Sequence, residues 1–271
     1  MKTILITGTS SGIGKETAIL FAQKGWNVAA TVRNPEHLSL FADYKNIRTY
    51  LLDVKDKCSI KTCITQVIQD YGKVDAIVNN AGIYTTNPLE TSTDEKINNI
   101  VETNIKGVLH TTKFILEHFR KNKSGIIVNI SSIAGRATFP FQSVYHTSKW
   151  AIEGFSESLY YELKPTGIKV KVVEPGMVRT NIYDSVQDFP FEKYPDVYQA
   201  NFKKWHGALM NNYKNGYSPV LDAKTIFKAV NSKSYKLRYT TDMGTRFVLF
   251  LRSILPLSIF RTVVAKTSGI K

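Results

Sequence analysis

Short apolar runs alternate with longer stretches whose apolar residues recur every three or four positions, from the first residues to about position 180. Runs of this kind read as strands buried on both faces, and the spaced stretches as helices lying against them. The pattern predicts strands at 2–6, 27–32, 47–52, 74–78, 126–130 and 168–173, with a last one at 236–240. It predicts helices at 12–24 and 57–71, one long helix at 93–120, and another that follows the break at 131–135 and runs to 162. Ser218-Pro219 reads as the opening of a further helix, with Ser as N-cap and Pro at the first helical position. Strand–helix alternation of this length points to an α/β fold, a doubly wound parallel sheet covered on both faces.

The alternation stops at 181–217, where aromatics accumulate: Tyr183, Phe189, Phe191, Tyr194, Tyr198, Phe202, Trp205 and Tyr213. An insertion on this side of such a sheet covers the ligand crevice, so the segment reads as a mobile, greasy substrate lid. Surface helices turning their aromatics inward are the alternative. The expected organisation is one domain over 1–271, with a core at 1–180, a lid at 181–217 and a C-terminal helix, strand and apolar basic tail at 218–271.

With 271 residues and 43% hydrophobic content, the chain can bury one sizeable core. The opening Met1-Lys2-Thr3 leads straight into an apolar strand and a glycine turn, so no secretory leader is expected. Cys58 and Cys63 share a helical stretch without further cysteines, which suits reduced cytosolic thiols; no metal site is expected. The net charge of +14 is lopsided: thirteen Lys/Arg face two Asp between Ala200 and Lys271, giving +11 there and +3 elsewhere. A basic region of this kind suits an anionic substrate, a membrane surface or simply solvated helices. No nucleic-acid-binding module is recognisable, and no nucleic-acid partner is expected. The apolar stretch at 246–264 is too short and interrupted to span a bilayer. Peripheral membrane contact, a subunit contact or packing on its own domain all remain open for it.

Candidate chemistry clusters at strand ends. The first strand ends in Thr7-Gly8-Thr9-Ser10-Ser11-Gly12-Ile13-Gly14 before a helix. Glycines there let the backbone approach a pyrophosphate at a helix N-terminus. The candidate cofactor contacts are Gly8, Ser10, Ser11, Gly12, Ile13 and Gly14. The second strand closes on Thr31-Val32-Arg33, where an NAD-binding fold would place an acid. Val32 accepts no hydrogen bond, and Arg33 can pair with a 2′-phosphate, with Ser11 a second donor, which indicates NADP(H). Asp53 can accept from an adenine amino group beside Val54, and it can equally cap the helix starting near Asp56. Asn80, Ala81 and Gly82 suit close approach of the cofactor. Pro175 and Gly176 turn the chain so that backbone near Val178 and the Thr180 hydroxyl can hold a carboxamide.

Tyr145 and Lys149 lie four apart on one helical face, just beyond Ser132 at a strand end. A phenol titrates near about 10, and a fixed ammonium beside it favours the phenolate and brings it towards acid–base chemistry. Asn104 falls on a buried helical stripe and needs partners there.

Thr7-Gly8-x-x-x-Gly12-Ile13-Gly14, Asn79-Asn80-Ala81-Gly82, Asn104, Ser132, Tyr145-x-x-x-Lys149 and Pro175-Gly176 stand in the order and spacing of the short-chain dehydrogenase/reductase family. The chain resembles that family over 1–180, in particular its NADP-preferring hydroxysteroid and retinol dehydrogenase-like members. The resemblance implies a single Rossmann-type domain with a seven-stranded parallel sheet, hydride transfer between NADP(H) and a carbonyl or alcohol, and assembly into dimers or tetramers. It implies Tyr145 as general acid/base, Lys149 lowering its pKa and holding the nicotinamide ribose, Ser132 bonding the substrate oxygen, and Asn104 holding a water for proton return. His146 is assigned no chemistry. The expected substrate is a small lipophilic ketone, aldehyde or alcohol, and the expected location cytoplasmic. A 3-oxoacyl-thioester reductase is the enzymatic alternative, and a non-catalytic NADP sensor or scaffold the alternative of another class.

Overall fold

Continuous apolar runs bury completely when both faces of a sheet are covered, and β1 (Thr3–Ile6) and β4 (Ala76–Asn79) do so at every residue. A computed structural model describes residues 1–186, 192 and 194–270. The remaining strands are β2 (Asn27–Val32), β3 (Ile47–Leu51), β5 (Gly125–Ile130), β6 (Ile168–Glu174) and β7 (Arg238–Thr240). All neighbours pair in parallel, in the order β3-β2-β1-β4-β5-β6-β7. The chain is a single α/β domain of Rossmann type.

On one face, α1 (Gly12–Gln23) packs against the sheet and, through Phe21, against a later helix carrying Ile226 and Ala229. On the other lie α2 (Lys57–Tyr71), the helix that supplies Ile115 and Phe119, and the helix that supplies Leu159 and Leu163. Asp56, not Asp53, caps α2, its side chain accepting from Cys58 N–H. Asp53 instead accepts from Lys55 N–H in a tight turn. Cys58 and Cys63 are both free thiols.

The single helix expected over 93–120 is three pieces. An α-helix, α3 (Asp94–Ile100), runs into a π-helical turn, Val101–Lys106, and resumes as α4 (Gly107–Lys121). The periodicity of the apolar stripe could not register one wider turn inside it. That turn holds Asn104.

The stretch that holds Tyr145 and Lys149 is α5 (Ser143–Leu163). Beyond β6, α6 (Asp196–Lys214) carries four of the eight expected lid aromatics, Tyr198, Phe202, Trp205 and Tyr213; Phe189 and Phe191 lie outside the described residues. Helix α7 (Val220–Asn231) begins two residues after Ser218, with Pro219 in the N-cap place. Ser218 Oγ accepts from Val220 N–H at 3.4 Å. The chain ends in α8 (Met243–Ile254) and α9 (Leu257–Thr267). Among the described residues no helix is long and apolar enough to cross a membrane.

Buried amides tie the sheet centre to its helices. Asn79 Nδ2 donates to Asn129 Oδ1 (2.8 Å) and Thr112 Oγ1 (3.0 Å), and Asn129 Nδ2 donates to Ser156 Oγ (2.9 Å). Asn129→Ala strands a buried donor on Asn79. Equilibrium denaturation is expected to show a loss of about 1–3 kcal/mol, the cost of an orphaned buried polar group.

Candidate active site

The strand order reverses between β1 and β4, and crevices at such switch points receive ligands. The turn after β1 is clamped there by β4. Thr7 Oγ1 accepts from the N–H groups of Asn80 and Ala81 (both 3.0 Å), while Asn80 Nδ2 donates to Thr7 O (2.9 Å) and Gly8 O (2.8 Å). Gly8 has φ +69°, and a Cβ on it would stand 2.8 Å from Ala81 Cα. At Gly14 a Cβ would lie 2.2 Å from Gly8 O and 2.5 Å from Asn80 Nδ2. Gly14 therefore does not line the cleft; it lies beneath the turn and lets it close on α1.

The cleft above has a volume of about 520 Å³. Of the sequence-predicted cofactor residues, the turn contributes Gly8, Ser10, Ser11, Gly12 and Ile13 to its wall. Arg33, Asp53 and Val54 line one end, and Asn80, Ala81 and Gly82 the floor. Pro175, Gly176, Val178 and Thr180 close the far side, next to Ser132, Tyr145 and Lys149. Sequence reasoning missed Asn34, His37, Ile83, Tyr84 and Thr103, which line the same cleft. Tyr84 and Ile83 directly follow the Asn-Asn-Ala-Gly stretch, a cue that position alone offered. His37 is brought in by a short 3₁₀ turn at Pro35–His37 that Asn34 caps by accepting from Glu36 N–H.

These residues fit a nicotinamide dinucleotide. Ser11, the N-cap of α1, makes no side-chain capping bond, so the first N–H groups of α1 lack a side-chain acceptor and suit a pyrophosphate. The glycine cradle has no space for side chains, as close backbone approach requires. Arg33 is exposed at the end of β2, with no ion-pair partner among the described residues, where an acid would otherwise select against a 2′-phosphate.

Ser132, Tyr145 and Lys149 converge at the other end, all buried. Ser132 follows β5 and caps a 3₁₀ turn, its Oγ accepting from Ala134 N–H. The Ser132 hydroxyl lowers the Tyr145 phenol pKa, yet burial dominates and pushes it up to about 12. Burial drives the Lys149 ammonium down to about 8, against the opposing pull of Glu153 one turn further along α5. Lys149 Nζ donates to Ile130 O at 2.9 Å and sits 5.8 Å from the Tyr145 ring centre. In this geometry Tyr145 is a neutral proton donor at neutral pH, with a cation close to its ring.

Asn104 is buried but does not line the cleft. Its Oδ1 accepts from Ile83 N–H (2.9 Å), and its Nδ2 donates to Ile83 O (2.9 Å) and Ser148 Oγ (3.1 Å). Asn104 Oδ1 and Lys149 Nζ would lie 3.4 and 3.9 Å from a Cβ on Gly82. His146, assigned no chemistry, fixes the loop behind Ser132. Its Nε2 accepts from Phe139 N–H (2.8 Å), which leaves Nδ1–H to donate to Ala134 O (2.7 Å).

An aromatic wall backs Tyr145. The Tyr84 ring meets Tyr145 edge-on at 4.8 Å and Tyr183 at 4.9 Å, and Tyr183 meets Tyr213 at 4.7 Å. Behind them Phe202 and Trp205 of α6 are buried against Phe141. Phe141 adopts a left-handed backbone (φ +58°), held by Thr86 Oγ1 and Asn87 N–H donating to its carbonyl. Of the expected lid aromatics, Phe202 and Trp205 thus turn inward as buttresses, and Tyr183 reaches the cleft.

Known proteins share this arrangement. The family profile described as short chain dehydrogenase matches residues 2–190. The 3-ketodihydrosphingosine reductase of Bacteroides thetaiotaomicron is 34% identical over 251 residues, 92% of this chain and 91% of that protein. The 3-oxoacyl-[acyl-carrier-protein] reductase FabG of Thermotoga maritima is 35% identical over 192 residues, 69% of this chain and 78% of its own length. A solved structure described as ElxO with NADP bound superposes with a TM-score of 0.74 at 30% identity, covering 91% of this chain and 99% of that one.

Gly14→Ala should displace the turn from Asn80. Calorimetric titration with NADPH is expected to show affinity lowered by about tenfold or more, the equivalent of one lost charge-assisted hydrogen bond.

Proposed function

The chain belongs to the short chain dehydrogenase family of nicotinamide-dependent oxidoreductases, and on that premise we propose that it interconverts a lipophilic ketone or aldehyde and its alcohol with NADP(H). The observation that carries this reading is that Ser132, Tyr145 and Lys149 lie buried together in the lining of a dinucleotide-sized cleft that Tyr84 and Tyr183 also line. A bound nicotinamide supplies the hydride. The protein's own residues handle the oxygen and its proton.

In reduction, Ser132 donates to the substrate oxygen as it takes on alkoxide character, and Tyr145 gives up its phenolic proton to it. The tyrosinate left behind is stabilised by the Lys149 ammonium and by Ser132. Asn104, whose Oδ1 lies beside Gly82 as Lys149 Nζ does, holds a water through which Lys149 regains a proton. Arg33 and Ser11 select the 2′-phosphate of NADPH; Asp53, Val54 and the Pro175–Thr180 turn seat the adenine and carboxamide ends. Tyr84 and Tyr183 give the substrate an apolar berth, which favours steroid-, retinoid- or acyl-like molecules over small polar ones. The likeness to a 3-ketodihydrosphingosine reductase over nearly the full chain supports a long-chain ketone. A 3-oxoacyl-thioester reductase is the second reading, favoured by the basic C-terminal region, which suits a phosphorylated carrier, and by the likeness to FabG. A core at 1–180 with a lid at 181–217, assembly as a dimer or tetramer, and a cytoplasmic place of action belong to the same reading.

A panel of ketones with NADPH, followed by absorbance, tests the assignment. Turnover is expected with long-chain or polycyclic ketones, and Tyr145→Phe should lower it by about 10²–10⁴-fold. No oxidation of NADPH with any ketone or 3-oxoacyl thioester would leave a cofactor-binding protein without this activity. Arg33→Ala should raise KM for NADPH by about tenfold or more while leaving KM for NADH nearly unchanged. Reduction is expected to slow as pH rises through about 8, where Lys149 loses its proton. Glu153→Gln removes the anion that holds that proton, so the fall should move to lower pH in a kcat profile.

A further inference from the structure

We propose that α8 and α9 dock this protein on the surface of an anionic lipid bilayer. The surface is separate from the reaction assigned above. Helix α8 buries Thr245 and Leu249 and turns a second apolar stripe outward: Met243 (72% exposed), Phe247 (60%), Phe250 (56%) and Ile254 (56%). Their spacing of four, three and four residues puts all of them on one face of the helix. Leu257, Ile259 and Val263 of α9 are also exposed. Four large side chains in a row, two of them phenylalanines, make a contiguous apolar face of the kind that marks an interaction surface.

Charge selects the occupant. From Met243 to Lys271 the chain has Arg246, Arg252, Arg261, Lys266 and Lys271 and not one Asp or Glu. Arg246 is exposed next to Phe247, and Arg261 and Lys266 are exposed on α9. A two-fold contact with a second copy would set this basic face against itself, at a cost in like-charge repulsion. Anionic headgroups complement it, while the phenylalanines reach the acyl boundary beneath them. The helices have twelve and eleven residues and are parted by the extended Leu255 and Pro256, so they suit the interface rather than a span. Leu249 and Phe260 anchor them inward on Ala137, in the loop that follows Ser132. The helices that carry the docked face therefore pack on that loop by their opposite side, and just past α9 a Cβ on Gly269 would meet Lys204 of α6.

The test is vesicle flotation of the full chain with phosphatidylglycerol/phosphatidylcholine vesicles and with phosphatidylcholine alone. Binding to the anionic vesicles, weakened by salt and absent on pure phosphatidylcholine, is expected. The double variant Phe247→Glu/Phe250→Glu should lose it by about tenfold or more with an unchanged thermal melt. Arg246→Glu/Arg261→Glu, at two exposed positions, should lose it as well. Three results would overturn the proposal: no binding of the wild type at low salt, undiminished binding by the charge-reversed variant, or dissociation of a wild-type oligomer by the phenylalanine variant in light scattering. The last would assign the face to a contact between copies. None of these readouts depends on ketone turnover.

Discussion

An ammonium group enclosed by protein must be compensated, and the active end of this cleft is arranged around that requirement at Lys149. The carbonyl of Ile130, at the end of β5, accepts a hydrogen bond from it, and Glu153 supplies the opposing charge from the next turn of α5. Glu153 is itself held at 2.9 Å by Arg238, from the edge strand β7. Arg238 also pairs with Glu157 and approaches Glu174 Oε1 at 3.9 Å. Glu174, fully buried at the end of β6, is bonded in turn by Arg136 and the Thr240 hydroxyl. Charge compensation thus runs from α5 to the last strand of the sheet. The three-residue β7, which looks dispensable by length, fixes the cation that holds Glu153.

The alternation of strands and helices was legible because both faces of a parallel sheet are covered, so apolar runs and amphipathic stretches separate cleanly. The order of the motifs along the chain likewise placed the turn after β1, Ser132, Tyr145 and Lys149 at one end of the sheet. What stayed hidden depends on backbone detail. The wide turn at Val101–Lys106 leaves hydrophobic spacing nearly intact, and only hydrogen bonding reveals it. Gly14 belongs to the glycine pattern as fully as Gly8, but which glycine faces the ligand and which the neighbouring strand is a matter of local geometry. Phe141 in a left-handed conformation has no signature at all, since glycine or asparagine is the usual occupant. Asp56 rather than Asp53 caps α2, because a cap is decided by which carboxylate meets the free N–H groups.

The aromatic residues after Thr180 divide their roles in a way composition does not announce. Phe202 and Trp205 are buried and brace Phe141, whereas Tyr84 meets Tyr145 edge-on and Tyr183 packs against Tyr84. Rigid aromatic backing restricts how Tyr145 can move, which keeps its hydroxyl near Ser132. Outside, the phenylalanines of α8 face outward. Similar residues thus rigidify a reaction centre in one segment and form an exterior face in another, according to what the surrounding charge allows.

The widened turn at Val101–Lys106 also bears on how this protein can change length. Each residue of an α-helix advances the azimuth by about 100°. A π-type turn takes in one extra residue at that angle, so α3 and α4 keep their phase on either side of it. Losing that residue would restore ordinary winding with α3 still facing as it does, and would remove the local widening that brings Asn104 to Ile83 and Ser148. A stretch that looks like any helix by hydrophobicity thus holds its one irregularity as an added residue, placed where a buried amide meets its partners.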